Sequence, residues 1–208
     1  MSAAGGLQAR VAADLDGFAF VPVGPDRALV SVGGTPRCWW EQHGERRRLL
    51  RLETSRFVLD GPCTDAQGRL RLQHTGSVRR TGLRLRVEGP DRHRAQEIGD
   101  RLLADGELAR ASLPLDFTAF TVSPGGGRWR VAIELMGGSF VRTTLPPSSS
   151  YVRLAADQVA ALMATVGVLH RRLPVDPDTF DLDRPGPDPT LGRDRRTATD
   201  HHLPRRMA

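Results

Sequence analysis

The sequence contains no lysine: all 30 of its basic residues are arginines, against 24 acidic residues, which gives a formal net charge of +6. Without lysine, Schiff-base chemistry and the Gly-x-x-x-x-Gly-Lys-Ser/Thr phosphate loop are both excluded. A basic chain ordinarily favours nucleic acid or an acidic membrane surface as its partner. Here the exclusive use of arginine, together with abundant alanine, glycine and proline, is typical of the codon usage of a GC-rich genome. The composition therefore permits anion binding without arguing strongly for it.

Long apolar runs and cysteines are also scarce. No run of about 20 apolar residues is present, so we predict no membrane span. The first residues, Met1–Gly6, lack the charged start and the apolar core of a secretory signal. The two cysteines, Cys38 and Cys63, lie far apart and outside any Cys-x-x-Cys spacing. We therefore expect two reduced thiols and a cytoplasmic protein.

Motifs that would identify an enzyme are missing as well. The chain has no Gly-x-Ser-x-Gly elbow. Its glycine triplet, Gly125–Gly127, precedes a predicted strand, whereas a dinucleotide-binding motif requires a helix at that point. His93 and Glu97 share one face of a predicted helix, a spacing that metal ligands use, but no third ligand is near in sequence. We predict no metal site, no cofactor and no catalytic residue.

The most regular hydrophobic pattern runs from Asp116 to Leu173. Arg128–Leu135 alternates polar and apolar residues, which is the period of a strand with one buried face. A helical period follows over Ala155–Leu173, with its apolar positions on one side of the helix. We predict three antiparallel strands and a helix; the strands are Asp116–Ser123, Arg128–Met136 and Ser139–Leu145, with turns at Pro124–Gly127 and Gly137–Gly138 and an end of the sheet at Pro146–Pro147.

The rest of the chain supplies two more helices and several strands. Helices are predicted over Leu7–Leu15 and over Asp91–Ala104. This order of elements favours an α+β fold, with antiparallel β-sheet and about three helices packed on one face of it. Residues 1–173 are predicted to form a single domain, and two similar halves (1–88 and 89–173) are the alternative. Residues 174–208 hold seven aspartates, six arginines and almost no aliphatic side chains, so we predict a disordered tail.

Positive charge is concentrated between Arg46 and Arg94, where 13 arginines face five acidic residues. Within this region, Arg69–Gln73 and Leu83–Glu88 alternate leucine or valine with arginine, so a two-stranded ribbon would have one apolar and one basic face. The predicted anion- or partner-binding residues are the arginines of that face and of the connecting loop: Arg69, Arg71, Arg84, Arg86, Arg79 and Arg80. The alternatives are a solvated outer face, screened by salt, and a face covered by acidic residues such as those of the tail.

Trp39 and Trp40 are the second candidate for a contact surface. Adjacent residues of a strand point to opposite faces, so the two indoles are not expected to enter the same core. One interpretation buries one tryptophan and covers the other with a loop or helix. The other interpretation makes one of them an exposed anchor for a partner, since tryptophan is enriched in interface hot spots.

These features favour a non-catalytic binding or adaptor module with an anionic or protein partner. A small enzyme acting on an anionic substrate is an alternative, with Asp116, Glu134 and Arg142 along one side of a sheet for acid–base work. Nonspecific nucleic-acid binding is a further alternative. It is less favoured because no aromatic residue lies on the arginine-bearing face of either ribbon strand to stack on bases. The sequence assigns no oligomeric state.

Overall fold

A computed structural model describes residues 4–62, 68–75, 81–90, 92–125 and 127–173. In these residues the chain forms an antiparallel sheet of nine strands and four helices, which confirms the predicted α+β class. The elements in chain order are α1 (Ala4–Asp14), β1 (Ala19–Pro22), β2 (Arg27–Val32), β3 (Thr35–Arg47), β4 (Leu50–Pro62), β5 (Arg69–Thr75), β6 (Gly82–Glu88), α2 (Arg92–Leu103), α3 (Glu107–Ser112), β7 (Phe117–Gly125), β8 (Arg128–Thr144), β9 (Pro147–Val152) and α4 (Ala156–Arg172).

The sheet is built around its longest strand, β8. Its strand order is β1-β2-β3-β4-β8-β7-β5-β6, and β9 pairs with the second half of β8. One side of β8 pairs with β4 along most of its length, and the other side pairs first with β7 and then with β9. Most neighbours are joined by short hairpins, so sequence-adjacent strands lie side by side. The ribbon predicted from the alternation of leucine and arginine is present as the β5–β6 hairpin.

The larger core combines side chains from the sheet with side chains from all four helices. On β8 the predicted alternation is confirmed, because Trp129, Val131, Ile133 and Leu135 are all buried in this cluster. The helices contribute apolar residues at helical spacing, which include Leu7, Val11, Ala95, Leu102, Leu108, Leu162, Val166 and Leu169. The periodicities of two and of 3.6 residues therefore specified which residues enter this core.

A second, smaller buried cluster is formed by Leu29, Trp39 and Val58. Trp39 and Trp40 do point in opposite directions: Trp40 belongs to the larger core, and Trp39 belongs to this small cluster. Both are buried, with 2% and 0% of their surface exposed, so the interpretation of an exposed tryptophan anchor is wrong. The indole of Trp39 is covered by the guanidinium of Arg27, which lies 4.0 Å from the ring centroid. A cation over an indole ring shields it as a loop would and adds an electrostatic attraction.

The predicted turn at Gly137–Gly138 is also wrong, since β8 continues through both glycines. The chain does not reverse at these glycines. Glycine is needed at one position because a side chain approaches closely, and at the other because the backbone has a positive φ. A Cβ at Gly137 would lie 2.9 Å from a side-chain carbon of Leu154, and Gly138 has φ of +75°. The pairing of β8 with β4 shifts register between Glu53 and Ser55, opposite these glycines, so the strand is bulged there but not broken.

Two further elements were not predicted. Strand β9 begins at Pro147, where the sheet was expected to stop; a proline can occupy the first position of an edge strand because its missing N–H is not needed there. Helix α3 has only six residues, too few for a periodic pattern to appear in the sequence. The predicted tail, residues 174–208, lies outside the described residues, as do Arg79, Arg80 and Cys63.

None of the helices in the described ranges is long and apolar enough to cross a membrane.

Candidate anion-binding face

The arginine side of the β5–β6 ribbon belongs to the same sheet face as the small cluster around Trp39. Strand register shows this directly: Arg71 lies opposite Thr121, Thr121 opposite Ala132, and Ala132 opposite Val58. Val58 in turn lies opposite Trp39. Directly paired residues project from the same side of a sheet, so this row runs continuously across five strands. We call this side the polar face.

The four ribbon arginines predicted as binding residues, Arg69, Arg71, Arg84 and Arg86, are all exposed. Their apolar neighbours turn the other way, as Leu70 and Leu72 are buried in the larger core. Arg71 and Arg86 are direct cross-strand partners, which places two positive charges side by side. Like charges in that position destabilise a sheet unless an anion lies between them. The ribbon therefore carries charge that an anion would relieve.

Polar side chains on the ribbon partly compensate the charge of its arginines. Arg84 donates from Nη2 to Oε1 of Gln73 at 3.2 Å. Arg86 lies 3.4 Å from the carboxylate of Glu88, with 66% of the arginine side chain exposed. An ion pair this exposed contributes little free energy and is easily exchanged for another anion.

Arginines at the centre of the polar face pair with carboxylates that are less exposed than that of Glu88 on the ribbon. Nη2 of Arg130 donates to both carboxylate oxygens of Glu41, at 2.8 and 2.7 Å. Nη1 of Arg130 lies 3.4 Å from Asp60. Arg56 donates to Glu134 at 2.9 Å. These pairs are partly buried and alternate in sign across neighbouring strands, so the centre of the face is a cross-strand ionic network.

Burial sets the protonation of Asp60 within this network. Desolvation is the largest effect and raises the pKa of its carboxyl above 3.8, and the positive charge of Arg130 opposes it. A carboxyl whose pKa is higher in the folded than in the unfolded state binds more protons when folded. The free energy of unfolding therefore falls as the pH rises from about 3.8 through the native pKa.

We accordingly expect Asp60→Asn to flatten this decline, because the amide cannot ionise. Urea denaturation at several pH values between 3.5 and 7 should show the variant gaining stability relative to the wild type as the pH rises. Asp100→Asn, on the exposed face of α2, is the control for the loss of one carboxylate outside this network. Parallel curves for the wild type and Asp60→Asn would contradict this assignment.

A cleft opens in the sheet where β5 separates from β7. It has a volume of about 330 Å³, and among the described residues it is lined by Arg71, Leu72, Gln73, His74, Phe117 and Thr118. Of these, Arg71 was predicted from the sequence as a binding residue. The cleft itself was not predicted, because it depends on where two strands that are distant in sequence stop pairing.

Of the residues considered for acid–base chemistry, Glu134 and Arg142 are not brought together, whereas Asp116 accepts through its carbonyl from the N–H of Met136, two positions after Glu134. The partners of Glu134 and Arg142 on β4 are Arg56 and Arg51, which lie five positions apart, so Glu134 and Arg142 are about 17 Å apart along the sheet. Glu134 is engaged by Arg56 and by the hydroxyl of Thr118, which donates to Oε1 at 3.2 Å. Arg142 instead lies opposite Arg51. Arg142 and Glu134 therefore do not share a site.

The other candidate reactive side chains in the part of the chain that the structure describes are Cys38 on β3 and the pair of His93 and Glu97 on α2. Cys38 is fully buried, and desolvation raises the pKa of its thiol to about 12, so a reactive thiolate does not form at neutral pH. His93 and Glu97 contact each other at 3.4 Å on the exposed surface of α2. Among the described residues, no group of three or more His, Cys, Asp or Glu side chains is arranged to hold a metal ion.

Residues 13–173 match a protein family described as "Protein of unknown function (DUF3156)". The matched segment runs from the end of α1 through α4 and so includes every strand of the sheet. No curated protein and no solved structure matches the chain.

Proposed function

We propose that this chain, which belongs to the DUF3156 family, is a non-catalytic binding module whose exposed ribbon arginines bind an acidic segment of a partner protein. The observation that carries the proposal is the cross-strand pair of Arg71 and Arg86, exposed and of like charge. The contrast with Arg130 and Arg56, whose carboxylate partners are less exposed than the Glu88 beside Arg86, supports it. The proposed location is the cytoplasm, as expected from the cysteine pattern.

Part of the proposal is that the helices pack on one face of the sheet and leave the polar face open. All four helices contribute residues to the larger core, and the cluster around Trp39 consists of strand residues alone. An open face with exposed arginines offers a partner several contacts at once. Trp39 and Trp40 do not contribute to this binding surface, because both are buried.

An extended acidic segment fits the spacing of the ribbon. Arg84 and Arg86 are two positions apart on β6 and therefore about 6.8 Å apart along one face. Alternate residues of an extended peptide have the same spacing, so successive acidic side chains of a partner would meet successive arginines. Nucleic acid is less favoured because the arginine-bearing face of the ribbon has no aromatic side chain on which bases could stack.

The test is binding of a fluorescent peptide with alternating glutamates, measured by anisotropy at several salt concentrations. We expect the double substitution Arg84→Gln/Arg86→Gln to weaken binding by about tenfold or more, since each lost charge-assisted contact is worth about 1.5–3 kcal/mol before screening. The matched control is Arg92→Gln/Arg101→Gln, which removes the same charge from exposed positions of α2.

Equal loss in the two double variants would mean that only net charge matters, and the proposed surface would be wrong. Duplex DNA provides the other comparison. If DNA competes with the peptide and its affinity falls by about 0.9 log unit per log unit of salt for each phosphate contact, the nucleic-acid alternative replaces the proposal.

A further inference from the structure

We propose that one end of the sheet, where two hairpins turn side by side, docks on an anionic lipid surface. The β3–β4 hairpin turns at residues 48–49, and the β8–β9 hairpin turns at residues 145–146. The two turns adjoin, because the N–H of Thr144 donates to the carbonyl of Leu49 at 3.1 Å. We call residues 46–51 and 142–149 together the hairpin end.

Each of the two turns exposes a large apolar side chain. Leu145 is 76% exposed and Leu49 is 54% exposed, the two highest values among the large hydrophobic side chains of the described residues. Single exposed leucines are ordinary on protein surfaces, whereas neighbouring ones indicate a surface that contacts something apolar. The adjoining turns therefore give the hairpin end an apolar tip.

Behind the turns, three arginines lie side by side across three strands. Arg46 lies opposite Arg51, and Arg51 lies opposite Arg142. All three are exposed. Directly paired residues project from the same side of a sheet, so the three positive charges form a row. Like charges in that arrangement destabilise the sheet unless anions lie among them.

The carboxylate paired with this row offsets only part of its charge. Oε1 of Glu53 lies 2.8 Å from Nη2 of Arg51, and its other oxygen accepts from Gln42 at 3.1 Å. Glu45, the next acidic residue on β3, lies opposite Leu52 and therefore on the other side of the sheet. The hairpin end contains five arginines and no acidic residue. Its positive charge complements an anionic surface.

The turns extend further from the sheet than the arginine row does. Leu49 is two positions from Arg51, and Leu145 is three positions from Arg142. At about 3.4 Å for each strand position, the leucines lie about 7–10 Å beyond the row. Apolar side chains of proteins at a lipid interface are buried to a similar depth, about 5–10 Å. The arginines can therefore bind lipid phosphates while the leucines reach the acyl chains.

A lipid surface suits the hairpin end better than an acidic protein segment does. The leucines protrude on turns, and fluid acyl chains rearrange around a protruding side chain, whereas a protein partner would need a matching pocket. The ribbon differs in this respect, because none of the large exposed hydrophobic side chains of the described residues lies on it. Charge together with protruding apolar side chains is therefore particular to the hairpin end.

The test is co-sedimentation of the full chain with lipid vesicles. One set is phosphatidylcholine alone, and the other contains about 30% phosphatidylserine, which makes the surface potential negative. We expect binding to the mixed vesicles to be about tenfold tighter or more, and to weaken as the salt concentration rises.

The apolar tip is tested by Leu49→Ser/Leu145→Ser, which should weaken binding to the mixed vesicles by about tenfold or more. The matched control is Val21→Ser/Val23→Ser. These valines are 44% and 39% exposed, but they lie on β1 and in the turn that follows it. The control should leave vesicle binding nearly unchanged. Thermal melts confirm that each variant is folded.

The arginine row is tested by Arg46→Gln/Arg142→Gln, which should also weaken binding by about tenfold or more. Arg92→Gln/Arg101→Gln removes the same charge from α2, which packs on β5 and β6. This control should lose much less affinity, because the attraction to a charged surface falls off over about 10 Å.

Insertion of the tip is measured directly with Leu145→Trp. Its indole emission should shift to the blue on mixed vesicles and should be quenched by lipids with brominated acyl chains. The three tryptophans of the wild type, Trp39, Trp40 and Trp129, are buried, so the wild-type emission should not respond.

The proposal is overturned if the leucine variant binds the mixed vesicles as tightly as the wild type, or if the two arginine variants lose the same affinity. It is also overturned if the wild type sediments with neither set of vesicles. If Arg46→Gln/Arg142→Gln keeps vesicle binding and loses the glutamate peptide of the preceding test, the hairpin end contacts an acidic protein and the lipid assignment is wrong.

Discussion

A chain that ends at Arg153 is expected to lose cooperative unfolding altogether, because it lacks α4. That helix buries Val159, Leu162, Val166 and Leu169 in the larger core. Each such side chain contributes roughly 1.5–3 kcal/mol through the surface it removes from water. The sum over four of them is on the order of the whole net stability of a domain, about 5–15 kcal/mol. Circular dichroism should show a broad, weak thermal transition in place of a sigmoidal one.

The control is a chain ending at Leu173, which keeps α4 and removes only residues 174–208. We expect it to unfold cooperatively at nearly the wild-type temperature. A sigmoidal melt of the chain ending at Arg153 would show instead that α4 is an appendage and that the strands fold without it. The stability of a full-length variant such as Leu162→Ala should lie between those of the two truncated chains. We expect its free energy of unfolding to fall by about 2–5 kcal/mol.

The second large effect is expected at Gly138, in the middle of β8. Its φ of +75° is strained for any residue with a side chain, and a Cβ there would lie 2.9 Å from Oγ of Ser55. Ser55 cannot move freely, because it donates to the carbonyl of Gly138 at 2.6 Å and accepts from the indole N–H of Trp40 at 2.9 Å. We expect Gly138→Ala to lower the free energy of unfolding by about 2–4 kcal/mol, the combined cost of a left-handed alanine and an overpacked core.

Gly44→Ala is the matched control. Gly44 lies in β3, has no positive φ, and a Cβ there would have no neighbour within 4 Å. Because alanine restricts the unfolded chain more than glycine does, this substitution should be neutral or should stabilise by about 0.4–1 kcal/mol. Urea denaturation of both variants measures the difference. Equal stabilities would mean that β8 relaxes around residue 138 and that the buried hydrogen bonds of Ser55 do not constrain it.

Burial was predicted correctly for residues that belong to a local hydrophobic alternation. The alternation along β8 identified its buried side chains, and the leucine–arginine alternation identified both faces of the β5–β6 ribbon. Such patterns are reliable because burial of every second residue needs no knowledge of which strand is the neighbour. The ribbon arginines are exposed as expected, and their role as a binding surface stays a proposal.

The predictions failed for residues whose surroundings are formed by residues distant in sequence. Gly137–Gly138 has the composition of a turn, yet β4 and Leu154 pack so closely against β8 that only glycine fits there. The sequence did not show whether Trp39 is exposed, because the side chain that covers it, Arg27, belongs to another strand. Arg130 pairs with Glu41, which lies 89 positions away in the sequence, so no local sequence pattern predicts this pair.

The sequence by itself determined the class of fold, most strands and helices, and which ribbon face is basic, since these follow from the spacing of apolar residues along one segment. Only the tertiary structure decided which arginines pair with partly buried carboxylates, and that β5 separates from β7 to open a cleft beside Arg71. The physical reason is that charge pairing and cavities are properties of strands brought together from distant positions. Charge pairs and cavities depend on loop closure and on sheet register, and composition specifies neither of these.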